Sequence, residues 1–219
     1  MKSVIPFLRK LKKNNQREWF QANKKDYESA KQELSTFLDG LIEELQKTDP
    51  ELNGLQAKDC MFRIFRDTRF SKNKDPYKTN MGAVIAPGGR KSEKALYYFH
   101  IDPDGCFLAG GSYKPESKKL NMIRQEIDYN LDEFNAILED PEFKKFFSGL
   151  DQRDRLKNAP KGYDPDSPAI DYLKNKSFIV SYPFDVQEIE SESFQKFCLK
   201  VYGKMKPLND FLNRATDLS

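Results

Sequence analysis

Apolar residues recur at the helical period through the first third of the chain. Phe7, Leu8 and Leu11 lie on one face, and Asn14-Asn15 interrupts the run. Phe20, Tyr27, Ala30, Leu34, Phe37, Leu38, Leu41, Ile42 and Leu45 then trace one stripe, which predicts a single long helix from about Arg17 to Lys47. Asp49-Pro50 ends it. The middle changes period. Cys60–Arg66, Gly82–Ala86, Ala95–Asp102 and Gly105–Ala109 are short, rich in aromatic and β-branched residues and bounded by turn residues, so they read as strands. Asp102-Pro103-Asp104-Gly105 is a tight hairpin turn.

The helical period returns later. Leu120, Ile123 and Ile127 predict one helix, Leu131, Phe134, Ile137 and Leu138 a second, and Phe143, Phe146, Phe147 and Leu150 a third. The Pro- and Gly-bearing stretch 158–168 reads as loop, 169–174 as a short helix and 177–184 as a strand. A last helix starts near Ser191, with Pro207 expected to kink or end it. This order predicts an α+β chain with a mostly antiparallel sheet of about four to six strands, covered by helices from the N- and C-terminal parts. The expectation for domain organisation is one domain over residues 1–219.

Composition adds an aromatic core, with 17 Phe and 10 Tyr. Net charge is only +3, but it is unevenly spread. Between Arg63 and Lys91 there are eight basic residues and two acids, +6 in all, leaving −3 for the rest of the chain. Such a stretch faces an anion or serves a loop's solubility. The candidate anion-site residues are Arg63, Arg66, Asp67, Arg69, Tyr77, Lys78, Gly88, Gly89, Arg90 and Lys91. Arg forks give bidentate contacts to phosphate or carboxylate, and glycine amides approach an anion closely. On a regular strand Arg63 and Arg66 point to opposite faces, so they form one clamp only if a bulge intervenes.

Each candidate also has a plainer reading. The lysines keep a loop in water, and Arg66 and Arg69 pair with Asp67 or with carboxylates of the helices. Asp67 orients an arginine, and Tyr77 anchors a loop on the core. "PGGRKS" fails the P-loop pattern, which needs glycine directly before the lysine, where Arg90 stands. The single histidine, His100, shares a strand face with Tyr98, and a hydrogen-bonded structural role is the commoner one for such a residue. No catalytic residue is assigned, and no cofactor or metal site is expected, since one His and three scattered Cys do not make a zinc site.

The segments "LKKNNQREWF", "FRIFRDTRFSKNKDPYKTNMGA", "YYFHIDPDGCFLAGGSYKP" and "LKNAPKGYD" together resemble a bacterial and fungal family catalogued as domain of unknown function 2461. The resemblance runs over nearly the whole chain and implies a single domain. It implies no activity.

Three functions fit these observations: an anion-binding module for a phosphate-containing ligand or nucleic acid, an enzyme on a small anionic substrate, and an interaction domain for an acidic protein. Cys60, Cys106 and Cys198 read as reduced, buried thiols, and no segment has the roughly 20 apolar residues of a membrane span. A cytoplasmic location is therefore expected. Oligomeric state is left open.

Overall fold

The computed structural model describes residues 1–217. It is α+β, with helices in the N- and C-terminal parts of the chain and a four-stranded antiparallel sheet in strand order β1-β2-β3-β4. The strands are β1 (Met81–Ile85), β2 (Leu96–Ile101), β3 (Cys106–Ser112) and β4 (Phe178–Phe184). The Asp102–Gly105 turn joins β2 to β3, as expected, and its amide of Gly105 donates to the Asp102 carbonyl at 3.1 Å. No described helix is long and apolar enough to cross a membrane.

The contacts divide the chain into two compact units. The first comprises Met1–Lys91, Tyr98–Leu108 and Pro183–Leu199. Its helices are α1 (Val4–Lys13), α2 (Arg17–Ala22), α3 (Lys24–Gln46) and α4 (Ala57–Cys60). The stripe predicted as one helix is two, because Asn23 leaves helical geometry (φ −108°, ψ 21°) and its side-chain amide donates to the Trp19 carbonyl at 2.8 Å. Asn favours such local side-chain bonds over a helix interior. The stripe is otherwise as read: Leu34, Leu38, Leu41, Ile42 and Leu45 are buried. On β2, Tyr97, Phe99 and Ile101 are buried while Tyr98 and His100 are half-exposed. Phe99 packs on Phe37 of α3 (5.5 Å between centroids) and on Phe194 (6.1 Å). One face of this strand is thus core. The other, with Tyr98 and His100, is accessible.

The second unit comprises Ser92–Tyr97, Ala109–Tyr182 and the chain from Lys200 on. It holds α5 (Ser117–Tyr129), α6 (Leu131–Glu139), α7 (Pro141–Lys144), α8 (Ile170–Leu173) and most of α9 (Phe194–Asp217). Phe134 packs against Tyr172 and Phe211, with centroids 5.1 and 5.0 Å away. α9 starts three residues later than expected and runs through Pro207 without ending there. Gly110 and Gly111, placed after the strand by the sequence, lie inside β3. Gly111 has φ +118°, and a Cβ there would stand 2.9 Å from the Cα of Ile179 and clash with the Phe178 carbonyl oxygen. Close approach of a neighbouring backbone requires glycine at this point.

One predicted strand is corrected. Residues 60–66 do not form a regular strand. α4 ends at Cys60, and the chain then makes only isolated antiparallel bridges, Met61 with Ala83 and Phe65 with Tyr77. All three cysteines are free and buried, and burial raises the Cys60 thiol to about 12, away from reactive thiolate chemistry.

Candidate anion site

The site lies wholly in the first unit, on the ribbon that replaces the predicted strand. Phe62 N–H donates to the Gly82 carbonyl (3.0 Å), Lys78 N–H to Ile64 (2.8 Å) and Arg66 N–H to Pro76 (2.9 Å). Between the first two pairings, Arg63 alone stands opposite Thr79, Asn80 and Met81. The register slips by two residues there, and the chain bends at Ile64. Residues 61–66 therefore do not keep the strict alternation that would have sent Arg63 and Arg66 to opposite faces.

Both arginines accordingly line one pocket of about 480 Å³, together with Lys78 and Asp67. Phe62, Asn80, Gly82, Tyr98 and His100 complete its wall. The last two come from the accessible face of β2. Gly82 is there for space: a Cβ would lie 2.8 Å from the Tyr98 hydroxyl.

The cations differ in their surroundings. Arg63 is exposed and has no carboxylate partner among the described residues. Arg66 is held by Ser71, whose Oγ accepts from Nη2 at 3.3 Å, and Asp75 stands at 4.0 Å. Lys78 Nζ lies 5.1 Å from the centroid of Phe62. Burial pushes its pKa down, and the charge of Arg63 pushes it the same way. A positive charge that is partly desolvated beside a second one is stabilised by an incoming anion. Asp67 offsets Arg63 only at a distance and makes no hydrogen bond to it. Its carboxylate accepts from Arg69 Nε (3.0 Å) and Nη2 (2.7 Å), and these bonds hold it below the usual carboxylate range.

His100 sits at the back of the site. Its ring stacks on Phe107 (4.5 Å, 24°), and its Nδ1 is 3.0 Å from the Tyr98 hydroxyl. Burial lowers its pKa, and Asp102 opposes that weakly, so the imidazole is neutral near pH 7.

The remaining sequence candidates fall elsewhere. Arg69 is outside the pocket wall, engaged by Asp67. Tyr77 is buried, stacked on Phe20 at 4.1 Å, with its backbone bonded in both directions to the Asn15 amide. Gly88, Gly89 and Lys91 lie away from the arginines, whereas Arg90 lines a second hollow with Arg63 and Lys78. Arg90 Nη1 donates to the carbonyls of Lys58 (2.8 Å), Asp59 (3.1 Å) and Met61 (3.1 Å), closing the C-terminal end of α4. Gly89 (φ +66°) abuts the Asp59 backbone, where any Cβ would collide. Gly88 and Lys91 line a separate hollow of about 430 Å³ beside Glu51 and Asp59, so acids answer the charge there.

Phe62, Asn80, Gly82 and Tyr98 were not singled out by sequence reasoning. For Tyr98 a signal existed: its alternation with Phe99 puts it on the face of His100. A second hollow, of about 720 Å³, shares Phe62, Arg63, Lys78 and Asn80 with the first and continues to Lys31 and Lys58.

No curated protein and no solved structure matches the chain. The family model described as "Conserved hypothetical protein (DUF2461)" matches residues 3–211. With the match covering nearly its full length, the chain belongs to the DUF2461 family.

Proposed function

We propose that the protein is an anion-binding module whose ligand carries a phosphate group, held by Arg63, Arg66 and Lys78. One observation carries this reading: three cations line a pocket whose only acid, Asp67, is already engaged by Arg69. Arg63 and Arg66 provide donor forks, Lys78 a point charge in a partly dry setting, and the Asn80 side chain a neutral donor. The volume of about 480 Å³ lies within the range of small-ligand pockets. A second reading, an enzyme on a small anionic substrate, draws on His100, whose neutral imidazole in the same wall is suited to accept a proton.

The test is thermal unfolding with inorganic phosphate and mononucleotides, at low and moderate salt, for the parent and Arg63→Gln. Arg63 is exposed and holds no carboxylate, so the substitution leaves the ligand-free melting temperature unchanged. A ligand at 100 times its Kd adds about 2.7 kcal/mol of stability, a rise of several degrees for a chain of this size. The rise is expected in the parent and reduced in the variant. No rise in the parent with any of these anions overturns the reading.

A further inference from the structure

Two hollows share a wall made of Phe62, Arg63, Lys78 and Asn80. Each has cations of its own beyond that wall: Arg66 on one side, Lys31, Lys58 and Arg90 on the other. The acid beside Lys31 is Glu28, at 3.9 Å, and Lys58 is exposed. The wall itself carries an aromatic ring in water. Phe62 is 40% exposed, and Phe65, lining the second hollow, is 49% exposed. Five large hydrophobic residues are exposed among the described residues, and three of them, Phe62, Phe65 and Phe70, lie within this basic segment. Solvent exposure of three phenylalanines is costly, and here it coincides with a segment in which cations outnumber acids.

We infer that the ligand is a short single-stranded nucleic acid, which crosses the wall with phosphates in both hollows and a base stacked on Phe62. This rests on the anion-site reading and extends it from one phosphate to a strand. Alternating cations and exposed rings match a strand's alternating phosphates and bases. A compact anion such as free phosphate uses the cations but gives the rings nothing to do. A duplex hides its base faces, and the chain's net charge of +3 is small for extended duplex binding. The contacts are to phosphate and base face, so RNA and DNA bind alike. An acidic protein segment would use the charge without requiring a ring at Phe62.

The experiment is fluorescence anisotropy with labelled single-stranded RNA and DNA of roughly ten nucleotides, within the range of known single-strand site sizes. Inorganic phosphate, a mononucleotide, inorganic polyphosphate and polyglutamate serve as competitors. The variants are Phe62→Ala, Phe62→Leu and Lys31→Gln; each alters an exposed or half-exposed side chain. Loss of one stacked base weakens binding roughly 5- to 150-fold. Both Phe62 variants are expected to show it, because Leu keeps apolar bulk and loses the ring. With about three to four phosphates contacted, log K should fall against log salt with a slope of roughly −2 to −3, and less steeply for Lys31→Gln. Binding of phosphate or mononucleotide with no gain for the oligonucleotide, or with Phe62→Leu indistinguishable from the parent, overturns the strand and leaves the anion site standing. Equal competition by polyphosphate or polyglutamate also overturns it. No binding by any anion overturns both readings together.

Discussion

Replacing Gly111 by alanine tests the packing of β3 directly. Two costs combine there. The backbone has φ +118°, where an L side chain is strained by about 1–2 kcal/mol. The added Cβ would also meet fixed backbone, the Phe178 carbonyl and the Ile179 Cα at 2.9 Å, so a flexible side chain cannot relieve it by turning away. Overpacking of that kind costs about 1–3 kcal/mol, and more where backbone must part. The sum is about 2–5 kcal/mol, or a fall in melting temperature of roughly 10 °C for a chain of this length. Two other glycines separate the terms. Gly88 has φ +81° but nothing within 4 Å of a Cβ, so Gly88→Ala carries backbone strain alone, about 1 kcal/mol net. Gly105 has neither the strain nor a neighbour within 4 Å, so Gly105→Ala is neutral or stabilising by up to about 1 kcal/mol. The assay is urea unfolding of all three beside the parent. Were Gly111→Ala no worse than Gly88→Ala, β3 would not approach its neighbour as described, and the steric account would fail.

Two further outcomes are expected. Arg90→Gln should lose about 1–2 kcal/mol of stability, since three carbonyls near the end of α4 lose a charged donor, while phosphate binding stays intact; Arg63→Gln should do the reverse, and urea titration with phosphate titration separates them. His100 should make the fold sensitive to mild acid. Burial puts its folded pKa below the unfolded value near 6.5, so the stability is complete above pH 6.5, is lost as pH falls through that value, and stops declining below the folded pKa. His100→Gln should flatten that part of the curve between about pH 7.5 and 5, as read from urea midpoints.

Much of the fold was legible because burial writes a period into the chain. The α3 stripe, the alternation of β2 and the Asp102–Gly105 turn follow from side-chain chemistry within a short window. The ribbon at 61–66 was not legible. Its residues alternate well enough for a strand, but its register is set by backbone partners at 76–83, and a slip of two residues opposite Arg63 leaves no mark in hydrophobicity. Sequence reasoning put the two arginines on opposite faces unless a bulge intervened; they line one pocket because residues 61–66 are not a regular strand. The Gly88–Lys91 loop went astray for a similar reason. Its charge looked available, yet Arg90 is spent on carbonyls, and carbonyl partners are invisible in a sequence. Asn23 was readable in principle, since Asn inside a helical run signals a local break.

The slipped ribbon has a consequence for solubility. β1 ends the strand order, and a terminal strand offers unpaired N–H and C=O groups on which another chain could extend the sheet. Here the backbone of Met61 and Phe62 pairs with Ala83 and Gly82, and the misregister beyond them prevents a continuous ladder. At the opposite border, β4 carries Pro183, which has no N–H to give, and the Ile179 carbonyl already accepts from Asp151. Neither border therefore presents a straight, open template. The irregularity that gathers the arginines also keeps one molecule's sheet from growing into the next.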